Sequence, residues 1–181
     1  KTMDAADAAG LTGEDKAAYL ALIEQESGYH PQAKSGTGSV GMGQIIGTTA
    51  QKPGFGINPI NLEDRTDPDK NLAFSSQYFR ELLGKHGNLD EAIAAYNLGT
   101  GHLDRAKVIS AVSGQDQYTD TPGIDAFAAD MYPDDEASAQ WKNQTEKYLT
   151  NIKANTPSYM RTLAEDFQGS SLMGATASPS E

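Results

Sequence analysis

The chain has 181 residues, enough for one domain with a real hydrophobic core, and its 38% hydrophobic and 22% charged residues are ordinary for a globular protein. A formal charge of −11 argues against nucleic-acid binding, which needs clustered Lys and Arg, so any grip on an anionic polymer must come from a shaped groove. With no cysteine, disulfides, thiolate metal sites and a lipid-anchored cysteine are excluded. No apolar run approaches the ~20 residues of a membrane-spanning helix. The opening KTMDAADAAG lacks the apolar core of an export signal. The chain begins at Lys1 rather than Met, which leaves an upstream segment open.

The recurring pattern is helical. Residues 1–10 read as a lead-in. Thr12 with Asp15 resembles a capping box opening the run AAYLALIEQE, in which Tyr19, Leu22, Ile23 and Glu26 share one face. Gly28 is placed to end that helix, and a Gly- and Ser-rich loop follows from Ser35 to Gly47. Asp67-Pro68 starts a second helix with the stripe Leu72, Phe79, Leu82 and Leu83. Asn88 with Glu91 caps a third, LDEAIAAYN, closed by Gly99 and Gly101. From Asp116 to Glu136 there are seven acids and no Lys or Arg, which reads as a solvated loop or insertion. Ala137 to Ile152 makes an amphipathic helix, Thr156-Pro157 opens a last one through Phe167, and SSLMGATASPSE reads as an irregular tail. No alternating strand pattern is present, so the expected class is mainly α.

Glu26 is the residue that needs a chemical explanation. A carboxyl on an apolar helical face is desolvated and keeps its proton near neutrality, the state a general acid needs. The plainer alternative is a side chain that reaches solvent from the last turn. Gly36, Gly38 and Gly41 satisfy G-x-G-x-x-G, but SGYHPQAKS before them does not read as a strand, and no G-K-[ST] follows. Glycines this dense point instead to close backbone approach. His30, His86 and His102 stand at no metal-ligand spacing and no G-x-S-x-G elbow is present, so neither a metal nor a cofactor is expected.

The order of these features resembles a family. IEQESGYHPQAKSGTGSVGMGQIIGTTA is similar to the signature of the lytic transglycosylases related to goose lysozyme: a helix ending in Glu-Ser, Ala-x-Ser, G-x-M-Q and Thr-Ala. DPDKNLAFSSQYFRELLGKHGNLDEAIAAYNLGTG resembles the D-P-x-x-N helix and A-x-A-Y-N-x-G motif, and QTEKYL the later E-T-x-x-Y segment. The resemblance covers roughly residues 11–153, with 113–136 as an acidic insertion and 154–181 as a C-terminal helix and tail. It implies a lysozyme-like fold, with Glu26 as catalytic acid/base and Ser27 as its hydrogen-bond partner. Met42 and Gln44 would line the groove near the sugar N-acetyl groups, Tyr96 and Asn97 would hold substrate or position Glu26, and Tyr148 would close the site. The chain departs from the pattern in three places: Gly43 stands at the usual methionine position, Leu98 where Ala is common, and Gln144 for Glu.

The implied substrate is the peptidoglycan glycan strand. Most glycosidases use two carboxylates, and no second acid is obviously placed; Asp64, Asp67 and Asp69 are near only in sequence. The implied chemistry is therefore single-acid cleavage between N-acetylmuramic acid and N-acetylglucosamine, closing a 1,6-anhydro ring. The alternatives are a hydrolytic muramidase, or a silent binding module of a virion or secretion machine. PGFGINPI resembles a segment of phage virion-associated transglycosylases, so the expected setting is the periplasm or cell wall, reached as a virion component alongside other virion proteins; the alternative is an exported bacterial protein, its signal removed, that serves a secretion or conjugation machine.

Overall fold

The computed structural model describes residues 1–112, 128, 131 and 135–174. Its elements are α1 (Thr2–Ala8), α2 (Gly13–Ser27), α3 (Gly47–Gln51), a 3-10 turn (Glu63–Thr66), α4 (Pro68–His86), α5 (Leu89–Leu98), α6 (Thr100–Val112) and α7 (Asp135–Gly174). Among the described residues the extended pairing amounts to isolated bridges, Lys34 with Val40 and Val40 with Ile45.

The middle of α2 is buried all round, from Ala17 to Ile23, rather than along one face as the periodicity suggests. A helix apolar on every side belongs at the centre of a bundle, and α1, α5 and α7 pack around it. Its polar contacts are internal: the Tyr19 hydroxyl lies 2.7 Å from Ser75 Oγ on α4. Thr12 stands at the N-cap, but its side chain makes no capping bond. Gly28 closes the helix as expected, at φ 56° with its N–H on the Glu24 carbonyl.

Both caps of the central pair hold as read. Asp67 accepts from the N–H groups of Asp69 and Lys70 with Pro68 at the first position, and Asn88 accepts from Glu91 N–H. The expected lead-in is instead α1, which buries Ala6 in the core and is held where Arg80 donates to the Ala9 carbonyl at 2.7 Å. Gly99 caps α5, but Gly101 lies inside α6, which starts at once after it.

Helix α7 differs most from expectation: it is one helix, not two. Pro157 lies on its exposed side, so the carbonyl of Lys153, which loses its helical partner, faces water. On the inner side Ile152 and Thr156 are buried, and the Thr156 hydroxyl donates to the Ile152 carbonyl at 2.8 Å. The helix also continues through the first residues of the expected tail, to Gly174; the rest of that tail and most of the acidic stretch lie outside the described residues. Its most extensive packing is along α2. Tyr159 donates to Glu24, Asn151 to Gln25 and Tyr29 to Tyr159 along that seam.

Candidate active site

A cleft of about 310 Å³ opens at the C-terminal end of α2. Glu26 forms its base. The glycine loop and α3 make one wall, with Thr37, Ser39, Gly43, Gln44, Ile45, Ile46 and Thr49; Phe74 and Tyr78 of α4 and the Tyr96–Gly99 segment make the other.

Glu26 is half-buried, with part of its surface turned to the cleft. Burial of its carboxyl pushes the pKa from 4.5 to about 7, and the bond from Tyr148 partly opposes that rise. The Tyr148 hydroxyl donates to Glu26 Oε1 at 2.6 Å. Burial raises the Tyr148 phenol above its ordinary range, so it remains a neutral donor. Tyr96 donates to the Gly43 carbonyl at 2.7 Å, and burial with the nearby Glu26 charge raises its phenol too. Among the described residues lining the cleft Glu26 is the one carboxylate. Asp64 is paired to Lys70, Asp69 to Lys1, and Asp67 is spent as the cap of α4.

The wall opposite α4 is irregular backbone fixed by two side chains. Asn71, fully buried, accepts from Gly43 N–H at 2.7 Å and donates to the carbonyls of Val40 and Arg65. Arg65 donates to the carbonyls of Gly38 and Ile45. The glycines are demanded by this clamp. A Cβ on Gly41 would stand 2.0 Å from the Arg65 carbonyl oxygen, at a φ of +81°. One on Gly43 would stand 2.6 Å from Ser75 Cβ and 2.9 Å from the Tyr96 hydroxyl, so the loop as folded has no room there for a methionine.

Of the residues singled out in the sequence, Glu26, Gln44, Tyr96 and Asn97 line the cleft, and Tyr148 reaches Glu26 from α7. Two sit elsewhere. The Ser27 hydroxyl donates to the Ile23 carbonyl one turn back, and Met42 is buried in the main core. The Gln44 amide donates to the carbonyls of Ala33 and Gly41, which turns it to shaping the loop at a φ of +46°. The sequence reading missed Thr49, Phe74 and Tyr78 as cleft residues and Asn71 as the clamp. For Asn71 a signal existed, a polar residue in register with the apolar stripe of α4.

The fold and this cleft define a lysozyme-like helical domain with, among the described residues, one protonatable carboxyl at the base of an open groove. The model of the transglycosylase SLT domain matches residues 5–118, and the chain belongs to that family of lytic transglycosylase domains. It is 36% identical over 106 residues to membrane-bound lytic murein transglycosylase F 2 of Alkalilimnicola ehrlichii, covering 53% of this chain and 21% of that protein. It is 33% identical over 113 residues to membrane-bound lytic murein transglycosylase F of Alcanivorax borkumensis, covering 57% and 22%. The chain thus spans about a fifth of the length of these curated relatives. The structure is similar to an inactive glutamate-to-glutamine variant of lytic transglycosylase Slt from Pseudomonas aeruginosa, with TM-score 0.62 and 24% identity, over 90% of this chain and 24% of that one. It is also similar to the 70 kDa soluble lytic transglycosylase of Escherichia coli, with TM-score 0.59 and 25% identity, over 82% and 22%.

Proposed function

We propose that the chain cleaves the glycan strand of peptidoglycan between N-acetylmuramic acid and N-acetylglucosamine, with Glu26 as its one catalytic acid and base. The observation that carries this reading is the half-buried Glu26 carboxyl, its pKa raised to about 7, at the base of a cleft with no second acid among the described residues that line it. A group with that pKa is protonated in a large fraction of molecules near neutrality and so serves first as acid, then as base. Tyr148 occupies Oε1, so Oε2 is the oxygen that carries the transferable proton.

In this mechanism Glu26 protonates the linking oxygen and the bond to C1 breaks. The substrate's own N-acetyl group stabilises the cationic centre, which removes the need for a second carboxylate. The Glu26 carboxylate then takes the proton of the C6 hydroxyl as that oxygen attacks C1 and closes the 1,6-anhydro ring. Water is not consumed. Tyr96 and Asn97, at one wall, hold the sugar against the acid.

Glu26→Gln keeps the volume and the acceptor for Tyr148 but has no acid proton. The wild-type chain is expected to release soluble fragments from dye-labelled peptidoglycan sacculi, and the purified Gln variant is expected to release none. Equal release by both would remove Glu26 from the mechanism. For setting, PGFGINPI and the acidic stretch support delivery as part of a phage virion that opens the wall locally.

A further inference from the structure

The loop between α3 and the 3-10 turn holds a feature that the cleavage chemistry does not use. Gly54, Phe55 and Gly56 all have positive φ, at 73°, 53° and 72°. Glycine adopts this region freely, whereas a bulky aromatic residue is strained there. Burial does not account for the strain. Ile57 and Ile60 pack against the small core of Ile45, Ala50 and Phe74 and anchor the loop, while Phe55 is 39% exposed. The Ile60 N–H to Ala50 carbonyl bond, 3.0 Å, ties the loop back to α3 without it.

Phe55 stands beside the cleft. Its ring meets Tyr78 edge to face with centroids 5.9 Å apart, and Tyr78 lines the cleft and meets Tyr96 in the same way at 5.9 Å. Two further exposed apolar side chains lie in the same stretch: Ile46 (42%), which lines the cleft, and Leu62 (43%), which lies against Gly47. An exposed aromatic ring packed against a residue of the cleft is placed to extend the cleft's contact surface. Flat rings with an electron-rich face suit the polarised C–H face of a pyranose.

We propose that Phe55, with Tyr78 and Ile46, forms a shelf that lengthens the cleft and stacks a further N-acetylhexosamine ring of the same glycan strand. This rests on the reading of the chain as a glycan-cleaving enzyme. The shelf makes the enzyme favour long strands over short ones, and the strain at Phe55 is the cost of keeping the ring outside.

The test uses the full chain and size-fractionated, uncrosslinked glycan strands, with kcat and KM measured for a short and a long fraction. Phe55→Asn suits the left-handed backbone and removes the ring; Phe55→Tyr keeps the ring. The wild type is expected to prefer the long strands. Phe55→Asn should raise KM for those by about threefold to tenfold, leave short strands unchanged and melt no lower than wild type. Phe55→Tyr should restore the preference. A Phe55→Asn protein that cleaves both fractions as wild type does would overturn the shelf and leave the proposed function standing. Equal loss on both fractions with a lower melting temperature would overturn it too, making Phe55 a packing residue. No cleavage of either fraction by the wild type would overturn the function and the shelf together.

Discussion

The Tyr148 hydroxyl donates to Glu26 Oε1 at 2.6 Å, joining two residues 122 positions apart in the chain. Glu26 lies in the last turn of the central helix and Tyr148 on the last helix, so the acid is complete only when α7 is docked along α2. That bond lowers the pKa of Glu26 against the rise caused by burial. Tyr148→Phe should therefore move the pKa further up, shift the alkaline limb of the pH–kcat profile to higher pH, and reduce kcat by about tenfold through lost orientation of the carboxyl. An unmoved alkaline limb would disconnect Tyr148 from the acid.

The pH dependence of activity follows from the same carboxyl. A general acid must carry its proton, so kcat should fall as pH rises through about 7, the value burial gives Glu26. Steady-state rates between pH 5 and 9 on soluble glycan strands check this, and a profile flat across that range would contradict it.

Stability should follow pH in the matching direction. Glu26 titrates at 4.5 when unfolded and about 7 when folded, so the native state holds the proton more tightly. Its contribution to stability is present below about pH 4.5 and is lost as pH rises through 7. The Glu26→Gln amide never ionises. The variant should match the wild type at pH 4.5 and be more stable by about 1–2 kcal/mol at pH 8, a figure reduced for the water that reaches the cleft. Urea unfolding at the two pH values gives the comparison.

The loop clamp predicts a steep cost at two buried positions. Asn71→Ala strands the Gly43 N–H and two carbonyls and should cost about 2–4 kcal/mol. Gly41→Ala sets a Cβ against the Arg65 carbonyl at positive φ and should cost at least as much. Both should also lower kcat, since the same loop forms one wall of the cleft. Denaturant midpoints that equal the wild type would show that the loop does not depend on this clamp.

Helix α7 divides into a docked part and an exposed part. Tyr148, Leu149, Ile152 and Thr156 are buried, whereas Phe167 is 75% exposed. Ending the chain after Asp166 should leave folding and activity unchanged, while ending it before Lys147 should abolish both by stripping the cover from α2. Circular-dichroism melts and fragment release report each case.

What the sequence disclosed was local. Caps at Asp67, Asn88 and Gly28 need only near neighbours, and Glu26 stood out because a carboxyl fell in register with Tyr19, Leu22 and Ile23. Motif order then supplied the fold and, of the cleft, Glu26, Gln44, Tyr96 and Asn97. The rest depends on partners distant in sequence. Asn71 clamps a loop ~30 residues earlier, and only the folded chain shows its three bonds. Ser27 and Met42 follow the motif but face the helix backbone and the core. Pro157 reads as a helix start because proline usually is one; its exposed position within α7 let the helix continue.

Single-acid cleavage by Glu26 with anhydro-ring closure is read out in the mass of the fragments that the wild-type chain releases from purified peptidoglycan. Wild type is expected to release products ending in 1,6-anhydro-N-acetylmuramic acid, lighter by one water than the hydrolytic products, and Glu26→Gln to release none. Reducing-end products of full mass would contradict it, because they form only when water rather than the C6 hydroxyl attacks C1.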